Sequence, residues 1–376
     1  MPRRVEPIYR GAKVTSTKQG WHRFHISSQT NQAGTHDNMN NWDYFKHEFI
    51  KLGGIVDNLI CRDGDNGRGL FREGHNDKPR ILCPSHLLAK VDDVILISGE
   101  FRLKAESDHT PEAREFIENY YQHFSWGESG EEEATKFLRE MHQIPEEAKI
   151  SLYENKLWTY DPFTPKPSPQ LSLQRFIESR HVRYKNQSVL APIWELVNHS
   201  SFASRFKVSR IGAETPNHPI DRTTNEILHA YRIKTSPMGM FFSYGFASHE
   251  FFAYSLPAEI KIGDRGLTIR VEGGQEGIES TDKKISLKQN TLTIPALPLG
   301  STSRKLPMAF FYSITQKHGI SESTTSSIMH TLQQANLAQR NKLKSQIGGH
   351  PNDTAKALVK CVDMEIGLIE ASLSNP

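Results

Sequence analysis

Apolar positions recur at helical spacing in some stretches of the chain and bunch into short runs in others. In "NWDYFKHEFIKLGG", Trp42, Phe45, Phe49 and Leu52 share one helical face, with Asn41 as N-cap and Gly53 and Gly54 as the stop. The texture then changes. Ile55 to Ile60 and Ile81 to Cys83 are short apolar runs separated by Gly, Asp, Asn and Pro, which predicts strands and turns. Helical period returns over "TPEAREFIENYYQHF" and "EEEATKFLREMHQIPEEAK", with Thr110 as cap and Phe137, Leu138 and Met141 on one side.

Beyond the Pro-rich "DPFTPKPSPQ", which predicts a rigid connection, "LSLQRFIESRHV" predicts a helix. The stretches "ILHAYRIKTSPMGMFFSYGF" and "LTIRVEGG" read as strand-like. From about Ala309 the chain reads as helices, one ending at Gly348 and Gly349 and the last opened by the cap cluster Asn352, Asp353, Thr354. The expected fold class is α+β. Residues 1–40 are polar and predict a flexible segment, because they offer almost nothing to bury.

Composition bounds the function without choosing it. A chain of 376 residues with 36% hydrophobic positions can bury a substantial core. A net charge of +3 does not nominate nucleic acid as a partner, and Phe241, Phe242, Phe251 and Phe252 lack the interleaved basic residues of a base-stacking platform. Three widely spaced cysteines with no C-x-x-C pair argue for reduced thiols in a cytoplasmic protein. No apolar run has membrane-spanning length, and the N-terminus lacks a secretory apolar core.

Candidate chemistry narrows in the same way. "GDNGRG" is followed by a turn-rich stretch rather than a helix, which argues against a dinucleotide fingerprint. His22, His25 and His218 have no matched ligand set around them, so no metal is expected.

Three stretches are more specific when taken together: "DNGRGLF" (65–71), "SR" followed by "LAPIWELVNHS" (179–200), and "FFSYGFASHEFFAYS" (241–255). Singly, each has an ordinary reading: a turn at Gly67 and Gly69, a surface ion pair at Arg180, a capped turn at Asn198, a core tyrosine at Tyr244. In this order and spacing they resemble the SET-domain protein methyltransferases, in the branch of the Rubisco large-subunit lysine methyltransferase and the actin-histidine methyltransferase.

The resemblance implies a β-rich knotted SET domain interrupted by a helical insert and followed by a C-terminal helical domain. Its expected divisions are 41–105 and 171–260 for the two SET parts, 106–170 for the insert and 261–376 for the substrate-binding domain. It implies S-adenosylmethionine as cofactor, held by Asn66, Gly67, Arg68, Gly69, Arg180, Glu195, Asn198 and His199. Arg180 would pair with the cofactor carboxylate, and Glu195 stands where relatives often carry an aspartate. Tyr244 corresponds to the catalytic tyrosine, and Phe242 and Tyr254 would line the substrate channel.

The implied partner is a protein substrate methylated on a side-chain nitrogen, with lysine expected and histidine the alternative. A silent SET scaffold that binds a partner through its C-terminal helices is the competing class. It draws on Ser248-His249 and Tyr254 to Pro257, where the family motif is altered.

Overall fold

The computed structural model describes residues 41–65, 67–74, 78–158, 167–214, 223–232, 234–262, 266–274 and 285–374. The expectations for residues 1–40 and for most of the Pro-rich connection lie outside the described residues. The fold is α+β.

Helix α1 (Asn41–Lys51) buries Trp42, Phe45 and Phe49 and ends ahead of Gly53, whose φ of 86° is left-handed. Helix α2 (Pro111–Tyr120) starts where Thr110 Oγ1 accepts from the Ala113 N–H at 3.3 Å and Pro111 presets the first turn. The same rod continues through a π-helical stretch (Tyr121–Gly130) into α3 (Glu131–Gln143). A Cβ on Gly127 would stand 1.8 Å from the Gln122 carbonyl oxygen, so the wide turn admits only glycine there. The rod buries Tyr121 against Phe101 and Phe176 and Trp126 against Phe176, and this fixes it to strand Glu100–Leu103 and to the helix that carries Phe176. Helices α4 (Glu146–Glu154) and α5 (Pro169–Arg180) follow, the latter capped by Ser168.

The strands are short, as the Gly, Asp and Asn punctuation predicts. Ile55–Asp57, Arg80–Pro84, Gly212–Glu214 and Lys207–Val208 form one antiparallel sheet in that spatial order. Leu59–Gly64 and Gly67–Arg72 make a hairpin in which Gly64 faces Gly67. Ala89–Lys90, Gln187–Leu190 and Val182–Tyr184 form a third sheet.

One expectation is corrected. Among the described residues of the strand-like stretch 227–246, Leu228–His229 is strand, and Pro237–Tyr244 is a helix, α6. Local chemistry outweighs the apolar run: Ser236 caps, Pro237 occupies the first turn, and Gly245 ends the helix at φ 85°.

The C-terminal region opens with a four-stranded sheet of Ala258–Ile262, Leu267–Val271, Thr291–Ile294 and Ser286–Lys288. Helices α7 (Leu306–Thr315), α8 (Glu322–Ile347) and α9 (Asp353–Leu373) come after it. Helix α9 runs along α8, lies on strand Pro298–Ser301 and packs against α6. Gly300 permits that approach, since a Cβ there would come within 2.5 Å of the Leu368 backbone.

Candidate functional site

The apolar run before Asn198 leads to a crossing point, the place where Asn198–His199 pairs with Leu228–His229. Leu190, Ile193, Trp194 and Val197 are buried, and Ile193 adopts φ 64°, a left-handed conformation that costs a β-branched residue about 1–3 kcal/mol. Only dense packing holds such strain. After one 3₁₀ turn, Asn198–His199 lies parallel to Leu228–His229, so segments distant in sequence meet side by side.

Asn198 closes the crossing. Its Nδ2 donates to Glu226 Oε1 at 2.7 Å and to the Arg68 carbonyl at 3.3 Å. A Cβ on Gly69 would stand 2.6 Å from that Nδ2 and 2.8 Å from the Glu226 carboxylate. The second glycine of "GRG" therefore gives the amide its space. The first, Gly67, has φ 83° and starts the hairpin's second strand. Asn66 lies outside the described residues.

His199 is fixed in one tautomer by its partners. Nδ1 accepts from the Tyr231 backbone N–H at 3.1 Å, so the ring proton belongs on Nε2, which donates to Glu250 Oε1 at 3.0 Å. The hydroxyls of Ser201 and Ser248 donate to the same carboxylate oxygen at 2.8 and 2.7 Å. The imidazole is thus neutral and tethered at both nitrogens.

A second buried carboxylate is less completely served. Glu195 Oε1 accepts from the Tyr120 hydroxyl at 3.1 Å, while Oε2 has no hydrogen-bond partner among the described residues and lies 3.9 Å from Arg180 Nε. Burial raises its pKa above the ordinary 4.5, against the pull of Arg180, then of the Ser125 and Tyr120 hydroxyls and, more weakly, of Arg68. Burial followed by the Glu195 charge drives the phenols of Tyr120 and Tyr121 well above the usual range. Arg180 also pairs with Glu133 at 3.4 Å and lies 4.3 Å over the Phe176 ring; Arg68 lies 4.5 Å over Phe124.

Tyr244 ends α6 half-buried in an aromatic group. Its ring is 4.7 Å from Tyr231 and 6.2 Å from Phe246, and both of those contact the His199 ring at 5.1 and 6.0 Å. The Tyr231 hydroxyl donates to the Val197 carbonyl at 3.0 Å, tying this wall to the crossing.

Arg68, Gly69 and Asn198 meet directly; Glu195 joins Arg180; His199 and Tyr244 are linked through Tyr231. Phe242 and Tyr254 stand apart from this group. Phe242 packs on Phe241 at 5.1 Å, within the core shared by α6 and α9. Tyr254 is 0% exposed, and its hydroxyl donates to the Lys234 carbonyl. Full burial leaves it no surface for a channel. Sequence reasoning missed Glu226, Tyr231, Phe246 and Glu250, which lie outside the quoted glycine and Asn-His motifs or carry no signal of their own.

No family model matches the chain, and no curated protein matches it. Among solved structures, the chain is similar to the SET domain of LSMT bound to MeLysine and AdoHcy at 13% identity, over 88% of this chain and 90% of that one, with a TM-score of 0.47. It is similar to the same domain bound to Lysine and AdoHcy at 14% identity, over 89% and 90%, with a TM-score of 0.41. Rubisco LSMT bound to AdoMet gives 13% identity over 89% and 92%, with a TM-score of 0.38.

Proposed function

We propose that this chain is an S-adenosylmethionine-dependent protein methyltransferase of the SET type, acting on a side-chain nitrogen, with lysine as acceptor. The observation that carries the reading is the convergence of Gly69, Asn198, Glu226 and the Arg68 carbonyl at the crossing, joined through His199 and Tyr231 to Tyr244.

The residues present fit the cofactor. The lack of a Cβ on Gly69 lets the Asn198 amide and the Glu226 carboxylate come up against the glycine backbone, which puts an amide, a carboxylate and backbone groups side by side for a small polar group. Arg180 is shaped for a carboxylate, and the Glu195 oxygen beside it lacks a hydrogen bond, which leaves polar capacity there. In this reading Asn198 and its backbone neighbours hold the amino-acid end of the cofactor, Gly67, Arg68 and Gly69 flank it, and Arg180 takes the carboxylate. The division into SET parts at 41–105 and 171–260, an insert at 106–170 and a C-terminal domain at 261–376 belongs to the same proposal. So does a cytoplasmic location, suited to Cys61, Cys83 and Cys361, which form no disulfide.

When bound, S-adenosylmethionine supplies a methyl group on a sulfonium centre. The protein's own task is then positioning and desolvation. A lysine amine has a reference pKa of about 10.4, and an aromatic enclosure favours its neutral form. Tyr231 and Phe246 exclude water beside Tyr244, whose hydroxyl orients the nitrogen lone pair. Neutral His199 adds no positive charge against the ammonium product, and the ring faces tolerate that product.

The test is calorimetric titration with S-adenosylmethionine and S-adenosylhomocysteine, beside Asn198→Ala. Micromolar binding that weakens in the variant supports the reading; undiminished binding in the variant removes Asn198 from it. Labelled acceptor proteins identified after incubation with the holoenzyme then separate lysine from histidine.

A further inference from the structure

Helix α6, which ends in Tyr244, is gripped at both ends by buried charges from other parts of the chain. At its N-terminus, Pro237 has no N–H, Gly239 N–H donates to Ser236 Oγ at 3.0 Å, and Met238 N–H donates to Glu365 Oε1 at 3.0 Å. At its C-terminus, Arg175 Nη1 donates to the carbonyls of Phe242 and Ser243 at 2.5 and 3.1 Å. Both signs match the helix dipole, with a carboxylate at the amino end and a guanidinium at the carboxyl end.

Neither charge is free to move. Glu365, fully buried on α9, accepts from Arg340 Nε and Nη2 at 2.9 and 2.6 Å, and Arg340 also donates to Asn336 Oδ1 at 2.8 Å and the Tyr254 carbonyl at 2.6 Å. Arg175, buried on α5, lies 4.1 Å over the Phe137 ring. The grip therefore joins α5, the helical insert and the C-terminal helices to the residue at the end of α6.

We propose that Arg175 and the Arg340–Glu365 pair are positioning residues that clamp α6 and so set the place of Tyr244 in the site. The proposal rests on the methyltransferase reading for what Tyr244 does there. The clamp itself does not depend on it. Holding an eight-residue helix from both ends converts the packing of α9 into a fixed hydroxyl position, where small displacements cost rate steeply.

The test labels the full chain with 3-fluorotyrosine and follows the Tyr244 ¹⁹F resonance, assigned by its loss in Tyr244→Phe. Arg175→Met and the double variant Arg340→Met/Glu365→Met are compared with Arg175→Lys; replacing a buried ion pair as a pair by apolar residues often preserves folding. A displaced Tyr244 resonance is expected in the Met variants, with turnover at saturating reactants lower by about tenfold or more and cofactor affinity unchanged. Arg175→Lys restores part of both. An unmoved resonance and parental turnover in folded Met variants overturn the clamp. A displaced resonance in a chain whose parent transfers no methyl group supports the clamp and sinks the proposed function instead. Should the double variant not fold, the Arg175 series decides in the same terms.

Discussion

Two buried glutamates, Glu195 just ahead of the Asn198-His199 strand and Glu250 bonded to His199, are satisfied in opposite ways. Each side chain is 2% exposed. Glu250 gathers His199, Ser201 and Ser248 onto one oxygen within 3.0 Å. Glu195 has an oxygen without a hydrogen bond among the described residues, a guanidinium at 3.9 Å, and a pKa raised by burial despite the pull of Arg180 and the Ser125 and Tyr120 hydroxyls. A buried carboxylate with three donors is architecture, because its desolvation is compensated within the fold. A buried carboxylate left short beside an arginine marks a place where the fold has kept polar capacity unused, as a binding site requires. In the proposed function, the Glu250 side does the holding and the Glu195 side is where ligand contact is expected.

The largest effect that tests this division is on stability. Glu250→Ala removes the acceptor for three donors at once, and we expect a loss of about 3–5 kcal/mol, read as a lower denaturation midpoint with unchanged slope. A loss under about 1 kcal/mol would mean that water replaces the carboxylate and that Glu250 is not architecture.

Next comes Tyr244, which belongs to the aromatic group beside His199. Tyr244→Phe keeps the ring contacts with Tyr231 and Phe246 and is expected to lower transfer by about a hundredfold or more, with cofactor affinity within about twofold of the parent. Equal turnover would take Tyr244 out of the reaction.

A smaller effect is expected at the crossing itself. Asn198→Ala deletes the amide that bridges Glu226 and Arg68, and cofactor binding should weaken about tenfold, or about 1.4 kcal/mol by titration. Recovery of binding in Asn198→Ser would place the effect in hydrogen bonding rather than in packing.

What could be read from the sequence follows the distance over which each interaction acts. Helix α2 was legible because Thr110 and Pro111 sit next to the turn they start, and the Asn198-His199 pair because seven apolar neighbours announce a buried approach to it. Glu226, Tyr231 and Glu250 act across 28, 32 and 51 residues respectively, and nothing beside them in the chain reports those partners. The α6 segment was misread for another reason. Its run "PMGMFFSY" is apolar on every side, so period cannot separate helix from strand, and the deciding signals were Ser236, Pro237 and Gly245 at its ends. Tyr254 was carried into the channel by its place in a motif, whereas the structure buries its ring on Phe252.

The smallest effect, and the one that sharpens the comparison most, concerns the pH dependence of Glu195. Its folded pKa lies above the ordinary 4.5 because burial disfavours the charged form more than Arg180 favours it. The folded state therefore holds this proton to higher pH than the unfolded state does. Stability from the group is fully present below about the ordinary value and is lost as pH rises through the folded pKa. Glu195→Gln does not titrate, so its melting temperature relative to the parent should rise with pH above 4.5 and then level off. A flat difference at Glu195 would mean that Arg180 and Tyr120 satisfy the carboxylate as fully as three donors satisfy Glu250, and the two sides of the strand would then be equivalent.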